Sequence, residues 1–152
     1  MPVREGLARL EGVESISQRP NVHEGTCELR MKNGRLLDPE ILSKHVYDIR
    51  VGARLRGLEA AVIGTLDKQG QDFVLRVAGT DDVLRLAALG RKVQKDLGRK
   101  TPLPTTRSEE NAFGKLLSKW KGKPLSVQIT GPLIRIEGKG LTLEVRQFEM
   151  KR

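Results

Sequence analysis

Cysteine, histidine and aromatic residues are all scarce in this sequence. It has one cysteine, Cys27, two histidines, His23 and His45, and 3% aromatic residues among 152. A single thiol excludes an internal disulfide framework and any all-cysteine metal cage within one chain, and it fits a reducing compartment. With so few rings, the core has to be built mainly from Leu, Val and Ile. No apolar run approaches the roughly 18–20 residues of a membrane span, and the opening MPVREGLARLEG lacks the apolar centre of a signal peptide. The expectation is a soluble protein away from membranes, with the cytoplasm the favoured compartment. Catalytic signatures are missing too: there is no GxSxG, no HExxH, no phosphate-binding Gly-rich loop ending in Lys-Ser/Thr, and no cysteine with a matched histidine signature. A non-enzymatic chain without a cofactor is expected.

Positive charge, in contrast, is abundant but uneven. The formal net charge is +9. Residues 1–58 carry 10 Lys+Arg against 8 Asp+Glu, whereas the window 91–123 alone carries 10 against 3. Basicity concentrated in one window is the pattern of an electrostatic footprint for phosphates.

Taken in order, VREGLARLEGV at 3–13 spaces Val3, Leu7 and Leu10 as a short amphipathic helix stopped at Gly12. Glu14–Arg19 and Thr26–Lys32 read as two strands about a turn at Pro20–Gly25, with Cys27, Leu29 and Met31 alternating against Glu28, Arg30 and Lys32. Asp38-Pro39 begins a second helix, Asp38 as N-cap and Pro39 at the first helical position, with Ile41, Leu42, Val46 and Ile49 on one stripe. The strand at Glu59–Leu66 follows. Helix, strand, strand, helix, strand is the order of a ferredoxin-like βαββαβ unit lacking its first strand.

The pattern Val3-x-x-Gly6-Leu7-x-x-Leu10-x-Gly12-Val13-x-Ser15-Ile16, with the strand at Cys27–Met31 and the helix opening Asp38-Pro39-Glu40-x-Leu42, resembles the heavy-metal-associated domain family over about the first 65 residues. The resemblance implies a ferredoxin-like fold and, in that family, a soft metal held by a CxxC pair between the first strand and first helix. That pair is not in this chain. The uncovered N-terminal sheet edge is expected to be met by a protein partner, by homodimerisation, or by a further segment of the natural protein.

From Glu59 onward the strand signal dominates. Gly64-x-Leu66 followed by Phe73-x-Leu75-x-Val77 reappears as Gly131-x-Leu133 followed by Leu141-x-Leu143-x-Val145, so one hairpin device is used twice. Between them, Thr80–Leu89 reads as a strand in preference to a helix, residues 90–108 as a long basic loop or mobile segment, and residues 109–120 as a helix with Ser108 as N-cap. In that helix Phe113, Leu116, Leu117 and Trp120 point inward. Three strands, a helix and two strands are the order of an OB-like barrel. The expected fold is therefore α+β: a ferredoxin-like module over 1–66 and an OB-like β-barrel over 59–152. The strand at 59–66 is shared, and Gly64 marks the bend between the two sheets.

Three functional readings follow. The first is a binding or accessory protein for an unknown protein partner. The second is nucleic-acid binding through Arg91, Lys92, Lys95, Arg99, Lys100, Arg107, Lys119, Lys121 and Lys123, with Lys115 beside them. Single-strand binders also stack bases on exposed rings; here Phe73, Phe113 and Trp120 fall in core phase, and only Phe148 shares the face of Thr142, Glu144 and Arg146. The third is metal handling through His23 and Cys27, against which Cys27 reads better as a small core hydrophobe in phase with Leu29 and Met31. His45 lies beside the apolar stripe of its helix.

Overall fold

The computed structural model describes residues 13–16, 29–32, 39–48, 59–90, 94–96, 101–103, 106–136, 138 and 140–151. In chain order the elements are β1 (Val13–Ile16), β2 (Leu29–Met31), α1 (Pro39–Asp48), β3 (Glu59–Gln69), β4 (Asp72–Val77), β5 (Val83–Ala88), β6 (Gln94–Asp96), β7 (Thr101–Leu103), α2 (Arg107–Glu110), α3 (Ala112–Ser118), β8 (Leu125–Ile136), β9 (Gly140–Val145) and β10 (Gln147–Met150). The chain divides into two compact units, residues 1–56 with 93–104 and residues 57–92 with 105–152.

In the first unit, β1 and β2 pair antiparallel, with an irregularity between Val13 and Ser15. Val13 and Leu42 are buried, whereas Ile41, expected on the buried stripe of α1, is 58% exposed. The buried stripe of α1 therefore includes Leu42 and leaves Ile41 at its exposed side, about 100° round the helix. The expected helix at 3–13 lies outside the described residues, except that Val13 opens β1. Residues 90–108, read as a long loop, contain the antiparallel pair β6–β7, in which Lys95 faces Pro102. Such a ladder is invisible to hydropathy, because three-residue strands of mixed polarity carry no period.

The second unit closes on itself. Strand β3 pairs with β8 over Glu59–Leu66 and with β4 over Gly64–Gln69. Strand β4 pairs with β5, β5 runs parallel to β9, and β9 returns antiparallel to the far half of β8. Five strands thus form a closed β-barrel in the order β3-β4-β5-β9-β8, an arrangement compatible with an OB-like barrel. The reading of Thr80–Leu89 as a strand agrees with β5. In the described residues β3 pairs with β4 and β8, and Gly64 is the first of its residues to pair with both, opposite Val77 and Val127.

Inside the barrel the period of two is kept. Val62 and Leu66 of β3, Leu75 and Val77 of β4, Leu84 and Leu86 of β5, Val127, Ile129 and Leu133 of β8, and Leu143 and Val145 of β9 are buried. Each such side chain contributes roughly 1.5–3 kcal/mol when fully buried. Gly64 and Gly131 occupy equivalent inward positions. A Cβ on Gly64 would collide with the Arg76 carbonyl oxygen, and one on Gly131 with the Glu144 carbonyl oxygen. At both places a neighbouring backbone crosses where a side chain would stand.

Helix α3 packs on β5, β9 and β10, with Ala112 and Leu116 buried. Its lead-in starts earlier than the sequence suggested: Thr106, not Ser108, is the N-cap of α2. The Thr106 hydroxyl accepts from the Glu109 amide at 3.1 Å, and the Glu109 carboxylate accepts from the Thr106 amide at 3.1 Å. This reciprocal pair is the T-x-x-E capping box, a stronger signal than the serine two residues on.

Candidate functional site

The basic residues singled out above are only partly placed. Arg107 in α2, Lys115 in α3, Lys119 at its C-cap, and Lys121 and Lys123 in the run to β8 are all exposed. Lys95 lies on β6. Arg91, Lys92, Arg99 and Lys100 lie outside the described residues, as do the metal candidates His23 and Cys27. His45 is in α1. Among the described residues no group of three or more His, Cys, Asp or Glu side chains could hold a metal, and no helix is long and apolar enough to cross a membrane.

The aromatic residues depart from their expected places in two ways. Phe73 shares the inward phase of Leu75 but is only half-buried, because it faces Lys68 in the part of the β3–β4 hairpin that runs past the last β3–β8 pair, Leu66 with Leu125. Beyond that closure its ring meets Trp120 edge to face, with centroids 5.9 Å apart and planes at 87°, and Lys68 Nζ lies 5.6 Å from the Phe73 centroid. Trp120 is likewise half-buried.

Phe148 is moved the other way. The β8–β9 register pairs Leu133 with Leu143, but the β8–β10 register pairs Thr130 with Gln147, one residue further along. The extra residue is Arg146, whose amide donates to the Thr130 carbonyl at 2.9 Å. Strands β9 and β10 are therefore one run along one edge of β8, interrupted by a β-bulge. Past the bulge the phase inverts. Phe148 faces Ile129, which is fully buried, so it sits on the barrel side and not on the face of Thr142 and Glu144. Strict alternation cannot foresee an inserted residue.

The same bulge carries a buried charged side chain. Arg146 is 8% exposed. Its Nη2 and Nε donate to the Glu59 carboxylate at 2.6 and 3.3 Å, and its Nη1 donates to Glu109 Oε2 at 2.8 Å. Two residues earlier, buried Glu144 accepts from the Gly90 amide at 3.1 Å. The Glu109 carboxyl is held below its ordinary 4.5 by the hydrogen bond from Arg146 and then by the Thr106 amide, with burial opposing. Burial alone would pull the Arg146 guanidinium down, but its bonds to Glu59 and Glu109 prevail and raise it. Among the described residues Glu144 and Arg146 are the buried charged groups, and both are engaged in holding backbone and helix ends. None of Glu59, Gly90, Glu109, Glu144 and Arg146 is a candidate on sequence grounds. Charges two apart on a strand look like a solvated face, and partners 87 and 37 residues away leave no local mark.

The outer face of β3, β8 and β10 has a different character. Cross-strand registers place Ala61 beside Thr130 and Gln147, Ile63 beside Gln128 and Glu149, and Thr65 beside Ser126. The charges at its margin are paired, Glu149 with Lys151, whose amide bonds to the Ser126 carbonyl, and Arg76, opposite Thr65, with Asp67, and Ile63 at its centre is 50% exposed.

Among the described residues these features define a small closed β-barrel whose buried charges are paired within it, with a sheet face around Ile63 and a lysine-rich stretch at 115–123 among its exposed surfaces. No protein-family model, no curated protein and no solved structure matches the chain.

Proposed function

We propose that this chain is a non-enzymatic binding protein whose barrel docks another protein surface through the outer face of β3, β8 and β10. The observation that carries the reading is Ile63, 50% exposed among Ala61, Thr65, Ser126, Gln128, Thr130 and Gln147. In a chain of net charge +9, a face whose marginal charges are paired, Arg76 with Asp67 and Lys151 with Glu149, is where a neighbour of like charge can approach with little repulsion, so a second copy is the first partner to test. Sedimentation velocity of the full chain across micromolar to millimolar concentration is expected to show self-association, lost in Ile63→Lys. A concentration-independent monomer, or association unchanged by Ile63→Lys, contradicts it.

The first unit completes the reading. We propose that this unit, in which the antiparallel β1–β2 pair precedes α1, is a ferredoxin-like module resembling the heavy-metal-associated family that serves as an interaction domain.

Nucleic-acid binding is the second reading, favoured by the exposed Lys119, Lys121 and Lys123 flanking a half-buried Trp120 that packs on Phe73. Lysines beside rings suit phosphates and stacked bases. Fluorescence anisotropy with a single-stranded oligonucleotide is expected to show binding at low salt. It should weaken steeply by about 200 mM salt and disappear on charge reversal of the three lysines. No retention at low salt ends this reading.

A further inference from the structure

We infer that Glu144 and Arg146 form a clasp that holds, from one strand, the three places where the chain enters, leaves and re-enters the barrel unit. The chain passes between its compact units after residues 56, 92 and 104. Glu59 lies just inside the first crossing, Gly90 just before the second, and Thr106–Glu109 just after the third. All belong to the barrel unit, and all are reached from the end of β9: Gly90 by Glu144, Glu59 and Glu109 by the bulged Arg146.

The geometry is specific. The guanidinium at the bulge is buried, and its fork spans two carboxylates, using Nε and Nη2 on one and Nη1 on the other. The second of these, Glu109, is also the N3 partner of Thr106 in the capping box of α2, so the charge that steadies β3 steadies the start of the helix as well. On the Glu144 side, a Cβ at position 90 would lie 3.2 Å from Oε2, so glycine lets the backbone come within hydrogen-bond range of the carboxylate.

The consequence is coupling. Glu59 and Glu109 are 50 residues apart in sequence and share one cation, so loosening either alters the other's hold. A ligand or partner that pulls on the segment entering β3 is thereby felt at the segment entering α2. The clasp is a conformational device built into the barrel, with its fixed point in β9 and two of its arms linked through Arg146.

Hydrogen exchange followed by mass spectrometry on the full chain tests this with Glu59→Gln, which keeps the size but removes the charge and one of the two accepting oxygens, and Arg146→Met. Both variants are expected to speed exchange of the amides of Glu109, Glu110 and Asn111 by about tenfold or more. The β3–β8 ladder around Ile129 should keep the wild-type rate. Wild-type exchange at 109–111 in Glu59→Gln overturns the coupling. An equal acceleration in the Ile129 ladder overturns it too, because the effect would then be a general loss of stability. Should Arg146→Met fail to fold, Glu59→Gln and Gly90→Ala carry the test: Gly90→Ala is expected to speed exchange of the backbone amide at position 90, and an unchanged rate there removes the Glu144 arm.

Discussion

The β3–β4 and β8–β9 hairpins are built on the same sequence pattern and differ in what their second strand does next. In both, a glycine faces inward and a leucine two residues on pairs with a leucine of the returning strand: Leu66 with Leu75, Leu133 with Leu143. In both, the neighbouring backbone crosses the glycine, at Arg76 in one and Glu144 in the other. After Val77 the first hairpin turns at Gly79, whose φ is 75°, and leaves its charged side chains outside. The Arg76–Asp67 pair there is 3.4 Å long, and the Arg76 side chain is 51% exposed. The equivalent of Arg76 in the second hairpin, Glu144, is buried, as is Thr142 two residues before it, and after Val145 the strand continues through a bulge at buried Arg146. Two strands of matched pattern thus carry a solvated charge in one case and buried ones in the other. Place in the fold decides the role of a charge more than its identity does.

The largest effect that would break the comparison is at the glycines. Gly131→Ala meets backbone atoms of both Glu144 and Arg146, so it is expected to cost about 3 kcal/mol or more in urea unfolding. Gly64→Ala meets the Arg76 carbonyl group less closely than Gly131→Ala meets that of Glu144, and should cost less. Equal costs would mean that the bulge adds no constraint.

Next come the arginines. Arg146→Met leaves Glu59 and Glu109 without their cation and is expected to cost about 2–4 kcal/mol, reduced from the fully buried case because the Glu59 side chain is 32% exposed. Arg76→Met removes an exposed pair and should change stability by about 0.5 kcal/mol or less. Comparable losses would contradict the assignment of one as buried and the other as solvated.

A smaller, pH-dependent effect separates Glu109 from exposed acids. Because its pKa is depressed in the fold, its contribution is fully present above the ordinary value of 4.5 and is lost as pH falls through the lower folded value. The stability gap between wild type and Glu109→Gln is therefore expected to be constant from about pH 5 to 7 and to shrink below that range. A gap that persists unchanged down to acid unfolding counts against the Arg146 contact. The smallest effect is in the turn of the first hairpin: Gly70 has φ 65° with open space around it, so Gly70→Ala should cost about 1 kcal/mol from backbone strain alone.

Much of the barrel is legible in the sequence because its inward residues keep a strict period of two. Val62, Leu66, Leu75, Leu84, Ile129 and Leu143 are readable from alternation, and the matched glycine–leucine spacing exposes the repeated hairpin. The limits lie where the period breaks. Alternation puts Phe148 on the wrong face because a bulge carries no hydropathic signature, and misplaces Phe73 because it fixes the side of a strand but not how far the neighbouring strands extend. Ser108 draws attention away from Thr106, although the Thr-x-x-Glu spacing is there to be read. The clasp is hidden for a deeper reason: its partners are joined by tertiary closure across 37 to 87 residues. The candidate surfaces differ in the same way, since composition locates the lysines of 115–123 but cannot foresee that the patch around Ile63 gathers from three strands.

The register shift at Arg146 underlies the return of Phe148 to the barrel side and the continuation of the second hairpin into β10. Its most direct test is a nuclear Overhauser spectrum of the isotope-labelled chain. With the Lys151 amide bonded to the Ser126 carbonyl, Phe148 and Ile129 face each other as a non-hydrogen-bonded pair, whose α-carbons lie about 4.5 Å apart. A strong Hα–Hα cross-peak between Phe148 and Ile129 is the predicted result. A Gln147–Ile129 cross-peak in its place would mean an unbulged strand and would contradict the account.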